Sequence, residues 1–234
     1  MTSQISRRDL LTRASLVAAA GTTAVLVGAD MASAEGRPDG KEYTQAEVLA
    51  ILAAGNKRWV SGKTVRKSYA PKGKKLSDGQ WPIAAVLTCA DSRVHPDEFY
   101  DLAPANLFVV RNAGNVIDDD VLGSLEYAIE HLGVEVIVVL GHSLCGAVKA
   151  SEAVAAGGAK PGAHIDAIVD KIVPVIKTLP ATHTLAQSIH ANATHSAEEI
   201  LTESSILEEA HAAGKLTVVS GAYNLFNKKV NLHA

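Results

Sequence analysis

Two cysteines stand in this chain of 234 residues, and each follows an apolar run. The first lies in VLTCADSRVHPDEF (Val86 to Phe99), where Asp91 and Arg93 come directly after Cys89. The second lies in VVLGHSLCGAV, where His142 precedes Cys145. Two thiolates and an imidazole suit Zn2+, which takes sulfur and nitrogen ligands in a tetrahedron. Cys89, His142 and Cys145 would leave a fourth position, open in a catalytic centre and closed in a structural one. Asp91 could fill that position as a ligand, or accept a hydrogen bond from water standing there. The guanidinium of Arg93 suits the second role, because it can grip a carboxylate with two N–H groups, keep it ionised and aim it. The same cysteines could instead form one disulfide, the ordinary outcome in an oxidising compartment. Three features weigh towards the metal. Each cysteine ends an apolar strand, where α/β sheets place their ligand sites. Each has a metal-competent neighbour, and both loops carry small residues. Both readings stand at this level.

These residues need elements to bring them together. PIAAVLT (82–88), NLFVVR (106–111) and VEVIVVLGH (134–142) are short continuous apolar runs, as expected of buried parallel strands. DDDVLGSLEYAIEHLG begins on three aspartates and ends on Gly133, favourable ends for a helix. TQAEVLAILAAGNKRWVSGK has apolar residues at helical spacing, with Thr44 and Glu47 as a capping box and Gly62 as the stop. The basic, turn-rich stretch from Val65 to Gly79 reads as a surface loop. From Leu144 the pattern turns helical, and KLTVVSGAYNL reads as the last strand. Strands alternating with helices predict an α/β fold, a mainly parallel β-sheet flanked by α-helices.

The N-terminus carries SRRDLL, a weakly apolar run from about Ala14 to Ala29, and ASA before Glu35. This pattern predicts an export signal over 1–34, with SRRDLL resembling a twin-arginine signal, and a single domain over 35–234. The run is short, holds two glycines and two threonines and ends on Asp30, which speaks against a stable membrane span. A soluble, exported and periplasmic protein is expected. A net charge of -3 and a pI near 6.3 give no sign of a nucleic-acid or anionic-membrane partner.

CADSR (Cys89 to Arg93) and GHSLCGAV (Gly141 to Val148) resemble the β-class carbonic anhydrases, whose pattern is C-x-D-x-R followed by H-x-x-C. AGNKRWVSGK, FVVRNAGNVIDDDVLGSLEYAIEHLG and GAYNL are similar to that family as well, so the resemblance spans about Ala46 to Leu232. It implies a β-carbonic-anhydrase-like fold and one Zn2+ per subunit on Cys89, His142 and Cys145, with Asp91 and Arg93 as the catalytic dyad. It implies Gln80 as the substrate-binding amide, and Phe108 and Tyr127 as pocket-lining residues from the neighbouring subunit of a homodimer or homotetramer. By themselves these three would read as a loop glutamine and two core aromatics. The activity implied is reversible hydration of CO2 to bicarbonate by zinc-bound hydroxide. Two thiolates offset the metal's charge more than three imidazoles would, so activity should rise through mildly alkaline pH.

Two departures matter. Val86 stands where a bicarbonate-inhibited subclass carries tryptophan, so the chain resembles the subclass that keeps zinc open to water. YNLFNKKV lacks the glycine usual in the family's terminal hairpin, which leaves the C-terminal pairing open. His183, His190, His195 and His211 fall in a helical stretch and read as solvent-exposed rather than as ligands. Two rivals remain: hydrolysis of carbon disulfide or carbonyl sulfide on the same scaffold, and a non-catalytic binding protein stabilised by zinc or a disulfide.

Overall fold

A computed structural model describes residues 40–65 and 75–233, all within one unit, Ala32–Ala234. The expected export signal (1–34) and most of the expected basic loop lie outside the described residues. What is described of that loop holds one exposed 3-10 turn, Leu76–Asp78.

Five strands form one sheet in the order β2-β1-β3-β4-β5. They are β1 (Ala84–Cys89), β2 (Leu107–Asn112), β3 (Val136–His142), β4 (Thr217–Tyr223) and β5 (Val230–His233). The first four run parallel, and β5 pairs antiparallel with β4. Every residue of β1 and β3 is buried, which is why both read as unbroken apolar runs rather than as alternating ones. On one face Val86, Val138 and Leu140 pack under α1 (Gln45–Val60) and the short α2 (Pro96–Phe99). On the other, Ala85, Leu87, Ile137 and Val139 pack under α3 (Asp119–Leu132), α6 (Leu185–Glu203) and α7 (Ser205–Ala212). Helices α4 (Gly146–Ala155) and α5 (Ile165–Lys177) close a third cluster around the cysteines.

The helix ends follow the chemistry expected of them. Thr44 and Glu47 form the reciprocal capping box of α1, and Asp118 caps α3 by accepting from the Val121 amide at 2.8 Å. Among the described residues no helix is long and apolar enough to cross a membrane.

KLTVVSGAYNL is not the last strand. β5 follows it, so the terminal pairing forms without the family's glycine. Asn224 makes the turn instead, its Oδ1 accepting from the amides of Phe226 and Asn227 at 2.8 and 3.2 Å. Lys228 takes the left-handed conformation, φ 63°. Buried Asn56 of α1 then ties the hairpin down. It donates to the carbonyls of Phe99 and Lys228 at 3.0 Å and accepts from the Val230 amide at 2.9 Å.

Next to it, Gly55 lets α1 pack against the backbone of Tyr100 at the end of α2. A Cβ there would lie 1.7 Å from the Tyr100 carbonyl oxygen, an immovable backbone atom. Gly55→Ala gains helix propensity worth about 1 kcal/mol but forces the helices apart, at a cost of about 3 kcal/mol or more. A fall in Tm of roughly 5 °C is expected by thermal unfolding. An unchanged or raised Tm would show that the two helices separate freely.

Candidate metal centre

β1 and β3 are direct neighbours, and both deliver their last residue to the same end of the sheet. β2 lies on the far side of β1, so the order of strands turns back at β1. Crevices at the carboxyl ends of strands open at such reversals. Cys89 ends β1, His142 ends β3, and Cys145 caps the N-terminus of α4. Their ligand atoms lie within 4.8 Å of one another, and all three residues are buried.

The sulfur atoms are 4.0 Å apart and both thiols are free. A disulfide needs about 2.05 Å, whereas two thiolates on one tetrahedral Zn2+ sit about 3.8 Å apart. His142 is oriented for the same purpose. Its Nδ1 lies 3.0 Å from the Ser143 carbonyl, an acceptor only, so Nδ1 carries the proton and Nε2 presents its lone pair. That Nε2 is fully buried with no hydrogen-bond partner, an expensive state for a polar atom unless it ligates. The donor set, its spacing and the orphaned nitrogen all fit Zn2+.

The thiols share a proton. Cys145 Sγ donates to Cys89 Sγ, and this bond chiefly holds the Cys89 thiol well below its ordinary range, against the effect of burial. The Gly114 amide also donates to Cys89 Sγ, at 3.4 Å. Cys145 is pushed up, first by the bond it donates and then by burial. The pair therefore favours one thiolate before any cation arrives.

Asp91 faces Arg93. Arg93 Nε and Nη2 donate to its two carboxylate oxygens at 2.9 and 2.7 Å, and the Arg93 amide adds a third bond at 2.9 Å. The Arg93 guanidinium beside it holds the Asp91 carboxyl well below the usual carboxylate range. Asp91 Oδ2 stands 3.9 Å from His142 Nε2, close to the centre but engaged elsewhere.

Several supports were not singled out from the sequence. Arg111, at the end of β2, donates to the carbonyls of Cys89 and Asp91 at 3.3 and 2.8 Å, so it fixes the backbone on which thiolate and carboxylate ride. Gly114, φ 80°, approaches α4 and α5 so closely that a Cβ would lie 2.9 Å from Ile172 and 3.0 Å from Ala147. Asn192 of α6 donates to the Gly114 carbonyl at 2.8 Å. The signal in the sequence was RNAGN, an arginine and a glycine just where a strand ends.

Phe108 and Tyr127 lie apart from the cysteine cluster within one chain. Gln80 is exposed beside the 3-10 turn. Phe108 on β2 and Tyr127 on α3 face each other, ring centroids 6.3 Å apart. Phe108 packs on the α3 side of the sheet, whereas Cys89 and Cys145 belong to the α4–α5 cluster. Tyr127 is 40% exposed. Of the four histidines read as exposed, only His211 is so. His183 lies in the turn before α6 and pairs with Glu152 at 3.0 Å, while His190 and His195 are half-buried.

A family model described as carbonic anhydrase matches residues 84–230. Carbonic anhydrase 2 of Mycobacterium tuberculosis is 38% identical over 178 residues, covering 74% of this chain and 86% of that protein. Among solved structures, the β-carbonic anhydrase CafA of Aspergillus fumigatus is 26% identical with a TM-score of 0.59, covering 68% of this chain and 78% of that one. A tetrameric β-carbonic anhydrase of Sordaria macrospora, 24% identical, gives the same TM-score of 0.59 over 80% of this chain and 96% of its own.

Proposed function

This chain belongs to the β-class carbonic anhydrase family, and we propose that it hydrates CO2 reversibly to bicarbonate and a proton at the centre built on Cys89, His142 and Cys145. The observation that carries this reading is the buried, unpartnered Nε2 of His142 facing two free thiols beside an Asp91 already gripped by Arg93. Cys89, His142 and Cys145 would hold Zn2+, which when bound lowers the pKa of water and polarises an oxygen. Asp91, fully ionised, can only accept a hydrogen bond. It therefore takes one from the attacking water and turns a lone pair towards CO2. Arg93 fixes the carboxylate in that pose, so no reorganisation is needed as charge develops. Arg111 keeps the strand end from drifting.

The resemblance supports Gln80 as the amide that steadies a CO2 oxygen. It also supports Phe108 and Tyr127 as walls supplied by a second copy, a homodimer or homotetramer. β2 is an edge strand whose Phe108, Val109 and Val110 are only partly covered, as expected of a strand that another chain covers. We further infer export, on the strength of the twin arginines and the ASA site of the leader.

Stopped-flow hydration of CO2 by zinc-loaded protein at pH 8.5 tests the activity, and rapid turnover abolished by zinc removal is expected. No turnover at full occupancy would overturn it and redirect the substrate search to carbon disulfide and carbonyl sulfide. The pH profile is a further test. Arg93 holds Asp91 below the usual carboxylate range, so Asp91 stays ionised and does not titrate between pH 6 and 9. Activity rising across that window then reports ionisation of the attacking water, and a flat profile would contradict the assignment.

A further inference from the structure

Beyond the cysteine centre, α5, α6 and β5 border an open cleft of about 730 Å3. Pro174, Val175 and Leu179 form apolar wall, and His190, His195, Glu198 and His233 line the same space. His190 sits on α6 and His233 on β5, and their rings meet edge to face. His190 Nδ1 and His233 Nε2 are 2.8 Å apart.

We propose that His190 and His233 form a second metal-binding site, one that takes a divalent cation of octahedral or tetragonal preference such as Ni2+ or Cu2+. The spacing selects the geometry. A cation about 2.0–2.1 Å from each nitrogen would see the two at about 85°, the angle of adjacent octahedral or square-planar positions rather than tetrahedral ones. The donors and the angle together narrow the metal. Imidazole suits zinc, iron, nickel and copper alike, and of these Ni2+ and Cu2+ favour tetragonal positions, whereas the cysteine centre suits zinc.

The chemistry of the pair supports the assignment. Burial and the neighbouring His233 both lower the pKa of His190, so its imidazole is neutral and competent to ligate near neutral pH. A contact of 2.8 Å between two ring nitrogens needs one proton between them. On binding, that proton moves to the far nitrogen of its own ring, and both facing lone pairs turn to the cation. Glu198 supplies negative charge to the same cleft, and His195 is accompanied by Glu199 at 3.7 Å. The bound ion would staple β5 to α6, holding the chain's terminal hairpin to a helix that packs on β3 and β4.

The test is equilibrium dialysis of untagged, zinc-loaded protein against Ni2+, with zinc and nickel counted together. One equivalent of nickel is expected in addition to the zinc. Outer partners of metal ligands already contribute 10–100-fold to affinity, so removing a ligand by His190→Gln or by His233→Gln should weaken nickel binding about tenfold or more. Zinc content and CO2 hydration should stay unchanged, which also shows that the variants fold. Absence of the extra equivalent would overturn the site, and so would nickel binding undiminished in both variants. Neither result bears on the cysteine centre.

Discussion

Cys145→Ala protein, prepared with excess zinc, is expected to come through dialysis almost free of metal and without CO2 hydration. Cys145 lies at the start of α4, where the Ala147 and Val148 amides favour its thiolate, and it stands 4.0 Å from Cys89. Its loss leaves one sulfur and one nitrogen, and affinity should fall by at least about a hundredfold, since outer partners alone account for 10–100-fold. The fold should survive, because the β1–β3 ladder and the two clusters on the faces of the sheet do not include the thiol, and its loss removes one small side chain from the third. Circular dichroism and metal analysis on one sample separate the two effects. Zinc retained at one per chain would mean that the centre lies elsewhere.

Asp91→Asn isolates the next step, with zinc retained and kcat/KM reduced roughly 10²–10³-fold. The carboxylate accepts three bonds from Arg93 and can offer a lone pair to water. An amide has one oxygen for two guanidinium donors, and its NH2 group must face either Arg93 or the water. In both cases a donor meets a donor. The negative charge that aims the water is lost too. Activity within about threefold of the parent would remove Asp91 from the mechanism, and loss of zinc would identify it as a ligand instead.

The sequence carried the central features of the fold because they are local. β1 and β3 are legible as unbroken apolar runs, since a strand buried on both faces needs nothing else. The cap of α1 is legible because capping joins residues three apart, and the start of α3 because acidic residues gather there. β5 was not legible. VNLH is short and polar, and its place depends on Asn56, 174 positions away, accepting from the Val230 amide. The choice between disulfide and metal was likewise a matter of tertiary distance, separated here by 4.0 Å and one orphaned nitrogen. Asp91 could read as ligand or as gate until the bonds from Arg93 turned it away from the cluster. Gln80, Phe108 and Tyr127 came from resemblance alone: within one chain Gln80 is exposed, and Phe108 faces Tyr127 on the α3 side of the sheet. His190 and His233 lie 43 positions apart, and no local pattern joins them.

The turn in strand order at β1 separates scaffold from chemistry. A crevice that arises because β2 and β3 flank β1 does not depend on what lines it. A descendant in which Cys89, His142 and Cys145 drifted to other residues would inherit the crevice with the sheet intact, because its core is assembled from other side chains. Loss of the enzyme in such a lineage would therefore not entail loss of the protein. Three positions would change while β1 and β3 stayed apolar, leaving a vacant hollow in which selection could begin again with different side chains.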